Sequence, residues 1–258
     1  MKISLRLMGL SVLLTAGWVI FPTSCPAETL TLQGSSTFNS YLMVPYQRDV
    51  EAAAGHTLKV IPSKSSIGLI ALLEGRADLA MISASLKSEV EHLRVTRPDL
   101  PYHLLRSFLI SKIRVAFAVN RGNPVRSATV AQIQQVLRGE IENWLELGGP
   151  DLPIQVVLVS NGGGVTRTIE DAIFEGQSIT PRHSIKVEFG SDVPKVVEQN
   201  RGALGLAQLS EVQRHRLPDL ETDRLIEQYL YLVSLNDPSD AAREVIAATR
   251  HVLFDENP

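Results

Sequence analysis

Apolar runs too continuous for half-exposed strands recur between segments of helical period, and this alternation constrains the fold most. Arg114-Val115-Ala116-Phe117-Ala118-Val119, Ile154-Gln155-Val156-Val157-Leu158-Val159 and Leu204-Gly205-Leu206-Ala207 read as strands buried on both faces. Helices between them carry start and stop signals. Ser65 or Ser66 opens a run holding Ile67, Ile70, Ala71 and Leu73 that stops at Gly75, ahead of a buried strand at Asp78-Leu79-Ala80-Met81-Ile82. Ser88 with Glu91 forms one capping box and Thr129 with Gln132 another, the second followed by Ile133, Val136, Leu137 and a stop at Gly139. Asp237-Pro238-Ser239 opens a last helix with Val245, Ile246, Thr249, Val252 and Leu253 on its apolar face. Strands alternating with helices predict an α/β chain with largely parallel sheets covered on both faces. The sequence holds no internal repeat, low-complexity segment or Pro/Gly-rich linker, which suits domains joined by paired crossings.

The N-terminus reads as an export signal. Lys2 and Arg6 precede an apolar core from Leu7 to Ile20, and Phe21 to Ala27 ends in small residues suited to cleavage after Ala27, so residues 1–27 form a signal peptide. An uncleaved membrane anchor is the competing reading, for which the apolar run is short. The one cysteine, Cys25, lies inside this leader, where lipid attachment is a second reading that Pro22, three positions earlier, fits poorly. Cleavage removes two positive charges and no negative ones, taking the net charge from −3 to −5. A mildly acidic exported chain without a basic run argues against nucleic acid as a partner. The mature part has no cysteine, hence no disulfide and no thiol chemistry. Its roughly 230 residues exceed one small core and predict one large or two modest domains.

Two loops repeat one arrangement: strand, glycine and hydroxyl residues, helix start. The first is Gly34-Ser35-Ser36-Thr37 behind Thr29-Leu30-Thr31-Leu32-Gln33. The second is Ser160-Asn161-Gly162-Gly163-Gly164-Val165-Thr166-Arg167, leading into Val165, Ile169 and Ile173 at helical spacing. Glycine lets backbone approach a ligand, hydroxyls donate or cap, and the helix start presents unpaired N–H groups to an anion. Either loop alone also reads as a plain strand-to-helix turn. Pro62-Ser63-Lys64-Ser65-Ser66-Ile67-Gly68 is a third such start, with Lys64 a cation or merely solvated, and Ser83-Ala84-Ser85 places hydroxyls at a strand end. The loops lack the spacing of nucleotide-binding glycine motifs.

Catalytic and metal chemistry find little support. His56, His92, His103, His183, His215 and His251 are scattered without metal-ligand spacing, and there is no nucleophile elbow. Glu170-Asp171 suits a helix N-terminal turn. No cofactor, metal or catalytic residue is expected.

These segments together resemble the phosphate-type substrate-binding proteins of bacterial ABC transporters, in the type II periplasmic binding protein superfamily. The matching pieces run in order through the mature chain: Gly34 to Thr37; Ser65 to Gly68 with Leu72 to Asp78; Ala118 to Val125; Leu137 to Trp144 through Gly148-Gly149; the loop to Thr166-Arg167; Gly202 to Gly205; and Tyr229 to Val233. The resemblance implies a two-lobed α/β fold, each lobe a mixed, mainly parallel sheet flanked by helices, with two hinge crossings. Lobe one would take residues 28–112 and 208–258, lobe two residues 113–207. It implies a periplasmic or secreted monomer that captures a small oxyanion such as phosphate in the interlobe cleft for a membrane ABC permease. Ser35, Ser36, Thr37, Ser65 and Ser83 would serve from lobe one, and Gly163, Gly164, Thr166 and Arg167 from lobe two. Aligned on Thr166-Arg167, Ser160 stands where the family carries an arginine, Gly164 where it carries a ligand serine, and Val165 where a glycine follows. Ala84 stands where it carries Asp or Arg. These departures remove a bidentate cation and a carboxylate that would accept a phosphate proton, which admits another small oxyanion or an organic solute. The alternatives are a ligand-sensing module docked on a membrane sensor, and a periplasmic phosphoesterase.

Overall fold

A computed structural model describes residues 27–160 and 163–254. The signal peptide through Pro26, Cys25 and the loop residues Asn161 and Gly162 lie outside the described residues. The elements in chain order are β1 (Thr29–Ser35), α1 (Ser36–Phe38), α2 (Val44–Ala54), β2 (Thr57–Ser63), α3 (Ser65–Leu73), β3 (Leu79–Ile82), α4 (Leu86–Thr96) and β4 (Leu105–Val119). They continue with α5 (Val130–Arg138), β5 (Gln155–Val159), α6 (Gly164–Ile173), β6 (Ser184–Val187), α7 (Val193–Gln199), β7 (Ala203–Gln208), α8 (Leu209–Arg214), β8 (Glu227–Leu235) and α9 (Asp240–Phe254). A π-helical turn, Asn39–Met43, joins α1 to α2 without a break.

The strands are hydrogen-bonded in the order β2-β1-β3-β8-β4-β7-β5-β6. On one side β1 runs parallel to β2 and β3, and on the other β5 runs parallel to β6 and β7. The antiparallel strands β8 and β4 lie between these groups. This is a two-lobed α/β fold, and β4 belongs to both lobes. Its Leu105–Arg114 half pairs with β8, and its Val115–Val119 half pairs with β7. The first half exposes polar residues such as Arg106, Ser107 and Lys112 between buried ones, whereas Val115–Val119 is buried throughout. A register shift between Leu109 and Ser111 marks a bulge in the first half, a feature that bends and twists a strand.

Each half of the sheet has a core on both faces, which is why β3, β5, β7 and the second half of β4 are apolar without strict alternation. Leu32, Phe38, Leu230 and Val245 fill one core and Leu69, Leu72, Ile82 and Val233 another. Beyond β4, Phe117, Trp144, Ile169 and Leu204 form a third and Ala116, Val157, Val197 and Leu217 a fourth. Val212, Leu217, Leu220 and Ile226 pack in these second-lobe cores. The α8 helix lies against β4 and β7, and Ile226 is the last of these residues ahead of β8.

Local signals account for most helix ends. Thr129 and Gln132 close the capping box of α5, and Gly139 ends it in the left-handed region at φ 75°. Ser239 caps α9, its Oγ accepting from the Ala242 N–H at 3.1 Å. α4 begins a turn before the Ser88–Glu91 box: Ser85 is its cap, accepting from the Ser88 N–H at 3.1 Å. Ser88 thereby lies inside the helix, with its hydroxyl turned toward the opposite lobe.

Candidate functional site: a cleft between helix N-termini

Strand ends and helix starts meet between the lobes. β1 delivers Gly34 at φ 141°, where a Cβ would sit 2.1 Å from the Met81 carbonyl oxygen, so only glycine lets β1 turn against β3 there. Ser35 follows as the cap of α1, its Oγ accepting from the Phe38 N–H at 3.1 Å and donating to Ser83 Oγ at 2.8 Å. Ser65 Oγ accepts from the Ser83 N–H at 3.4 Å. The three serines thus form one network across the ends of β1 and β3 and the start of α3, and all three are buried.

A cavity of about 220 Å³ opens above this network. Ser36 and Thr37 of α1, Ser65, Ser66 and Ile67 of α3, and Gly163, Gly164 and Val165 at the start of α6 all line it. The first N–H groups of each helix have no partner within the helix and carry partial positive charge. Three such starts facing one space form a cradle for an anion.

The lobes touch along the cavity floor. Gly164 lies so close to β3 that a Cβ on it would fall 2.1 Å from Ser83 Oγ and 2.8 Å from Gln228 Nε2. Gln228, fully buried at the start of β8, donates to the Ser83 carbonyl at 2.8 Å and accepts from Gln208 Nε2 at 3.0 Å. Arg167 of α6 donates through Nη1 to Glu89 Oε2 of α4, an ion pair across the cleft whose residues are 7 % and 1 % exposed. Burial pushes the Glu89 carboxyl up, opposed by the Arg167 charge and by a hydrogen bond from Ser65. Beside it Ser88 Oγ donates to Asp171 Oδ1 at 3.3 Å, and burial raises the Asp171 carboxyl despite that bond.

Of the residues singled out from the sequence, Ser35, Ser36, Thr37, Ser65, Ser83, Gly163, Gly164 and Arg167 line this cavity. Thr166 faces the other way. It is 3 % exposed and lines a separate cavity of about 740 Å³ with Ser88, His92, Glu170 and Asp171, because successive residues of α6 point about 100° apart. Burial also raises the Glu170 carboxyl there and lowers the His92 imidazole. Lys64 and Ser160 reach the cavity rim as well. Sequence reasoning missed Glu89, Glu188 and Phe189, which complete the walls. Glu89 gave no local signal, since its partner is 78 residues away. Among the described residues no group of three or more His, Cys, Asp or Glu side chains could hold a metal ion. No described helix is long and apolar enough to cross a membrane.

Two lobes hinged by shared central strands, with helix starts from both meeting in the cleft, define the class of two-lobed solute-binding folds. The chain belongs to the PBP superfamily, whose domain model matches residues 21–248. It is 23% identical over 195 residues to the phosphate-binding protein PstS of Bacillus subtilis (strain 168), a match spanning 76% of this chain and 62% of that relative. The chain thus spans less than two thirds of the curated relative's length. Its fold is similar to an ABC-type phosphate transport receptor from Vibrio cholerae, with TM-score 0.68 and 21% identity, covering 88% of this chain and 96% of that one. It is also similar to a phosphate ABC transporter substrate-binding protein from Clostridium perfringens solved with bound phosphate. That match has TM-score 0.72 and 20% identity, covering 85% of this chain and 92% of that one.

Proposed function

We propose that this protein is an exported receptor that captures a small oxyanion, phosphate or a relative of it, between its lobes and delivers it to a membrane ABC permease. The convergence of the α1, α3 and α6 starts on one cavity carries the reading. Neutral N–H and O–H donors held in place before the ligand arrives bind an oxyanion without paying to reorganise. The net charge of −5 on the cleaved chain agrees with selection by fixed dipoles rather than by bulk positive charge. The matched relatives named for phosphate binding support the ligand class, and the leader supports a periplasmic or secreted location. Ser36, Thr37, Ser83 and the amides of Gly164 and Val165 serve as donors. Ser35 and Ser65 hold the network, since their hydroxyl protons go to Ser83 and Glu89. The protein works as a monomer that closes by hinge motion at two crossings, one within β4 near 114/115 and one ahead of β8 near 226/227.

Thermal unfolding of the mature chain across phosphate, sulfate, molybdate and phosphate monoesters tests this. A saturable rise in melting temperature with at least one of them is expected, reduced in Thr37→Ala. Unchanged melting across the set contradicts the reading.

A further inference from the structure

The cleft is larger and more apolar than a five-atom oxyanion requires. Next to the cradle lies a second cavity of about 240 Å³ that shares Ser36, Thr37, Val165, Phe189 and Gly190 with it. Together they reach the size of sites that take organic small molecules, about 300–1,000 Å³. Their lining is graded from one end to the other. Ser35, Ser65 and Ser83 form the polar floor, whereas Ile67 and Phe189 stand at the walls with 44% and 51% of their surface exposed. Pro62 and Val165 continue the apolar surface into the second cavity.

This room does not come from parted lobes. The Arg167–Glu89 pair, the Ser88–Asp171 bond and the Gly164–Ser83 contact already join the two lobes at the floor. The charge pattern points the same way. The buried guanidinium of the cleft is already spent on Glu89, and Glu188 adds a second carboxylate to the lining. Among the described lining residues the other cation, Lys64, is exposed, so a compact inorganic ion meets no unpaired buried cation here. An oxyanion that buries apolar surface of its own gains from the walls in addition to the donors.

Resting on the oxyanion reading above, we propose that the natural ligand is an organic oxyanion, a phosphonate or phosphate monoester with a compact apolar substituent. Its head group occupies the cradle of the three helix starts, and its substituent lies against Ile67 and Phe189. Titration calorimetry of the mature chain with inorganic phosphate and with phenylphosphonate tests this. Phenylphosphonate is expected to bind on the order of tenfold more tightly than phosphate, the gain from burying much of one ring. Phe189→Ala, at a half-exposed position that the fold does not need, should shrink that ratio several-fold, and Ile67→Ser should do so independently. Phosphate binding as tightly as phenylphosphonate, or a ratio unmoved in both variants, overturns the organic ligand and leaves the oxyanion receptor standing. Binding of neither overturns both.

Discussion

The two walls of the cleft solve the same problem with different chemistry. The lobe-one wall is rich in hydroxyls tied into one network, the Ser35 hydroxyl donating to Ser83 Oγ and the Ser83 N–H to Ser65 Oγ, so its donors are fixed before any ligand arrives. The lobe-two wall offers the backbone of Gly163 and Gly164 and one arginine, already engaged by Glu89 of the opposite lobe. The first wall is therefore a template, and the second is a cover whose charged group holds the lobes together. Capture and closure are assigned to different lobes, and substitutions on the two walls should fail in different ways.

Arg167→Ala should have the largest effect on stability, because it strands Glu89 without its cation. Breaking a buried pair in this way costs about 3–5 kcal/mol near neutral pH, measured by urea unfolding. Burial already holds the folded Glu89 carboxyl above its ordinary value of 4.5. The stability tied to that group is thus fully present below the unfolded value and is lost as pH rises through the folded one. Removing Arg167 lifts the folded value further. The penalty should therefore shrink as pH falls and the stranded carboxyl takes up a proton. A penalty independent of pH would mean that Glu89 finds another cation.

Ser35→Ala should have a smaller effect, since it deletes a cap and one link of the lobe-one network and leaves no charge uncompensated. About 1 kcal/mol of stability is expected, together with weaker ligand binding as Ser83 loses its fixed orientation. Ser35→Thr, which restores a capping hydroxyl, should recover most of the stability. Loss of stability with unaltered affinity would show that the serine network supports the fold and not the template.

How far the sequence disclosed this comparison depends on distance along the chain. The lobe-one template was legible because β1, Gly34, the Ser35 cap and the following helix are consecutive, and the α3 start carries the same local signals. The cover was half legible: the glycines of α6 mark a close approach, but only the fold shows that Gly164 approaches Ser83 of the other lobe. Helical period sets Thr166 roughly opposite Gly164, two residues before it, yet the resemblance placed both in the site. The partners of Glu89 and Ser88 lie 78 and 83 residues further on, so Ser88 read only as a helix cap and Glu89 gave no signal. The first half of β4 escaped notice because Arg106, Ser107 and Lys112 interrupt its apolar residues, and with it the place where the lobes join.

The contact of Gly164 with Ser83 tests the central claim most directly, because it is where cover meets template. An added Cβ there must displace the Ser83 hydroxyl and the Gln228 amide that bridge the lobes, at a cost of about 1–3 kcal/mol. Titration of phosphate and phenylphosphonate into wild type and Gly164→Ala should give saturable binding in the first. In the second, affinity should fall on the order of tenfold or more, with the circular dichroism of the fold retained. Equal affinity in the two proteins would contradict a site closed between these helix starts.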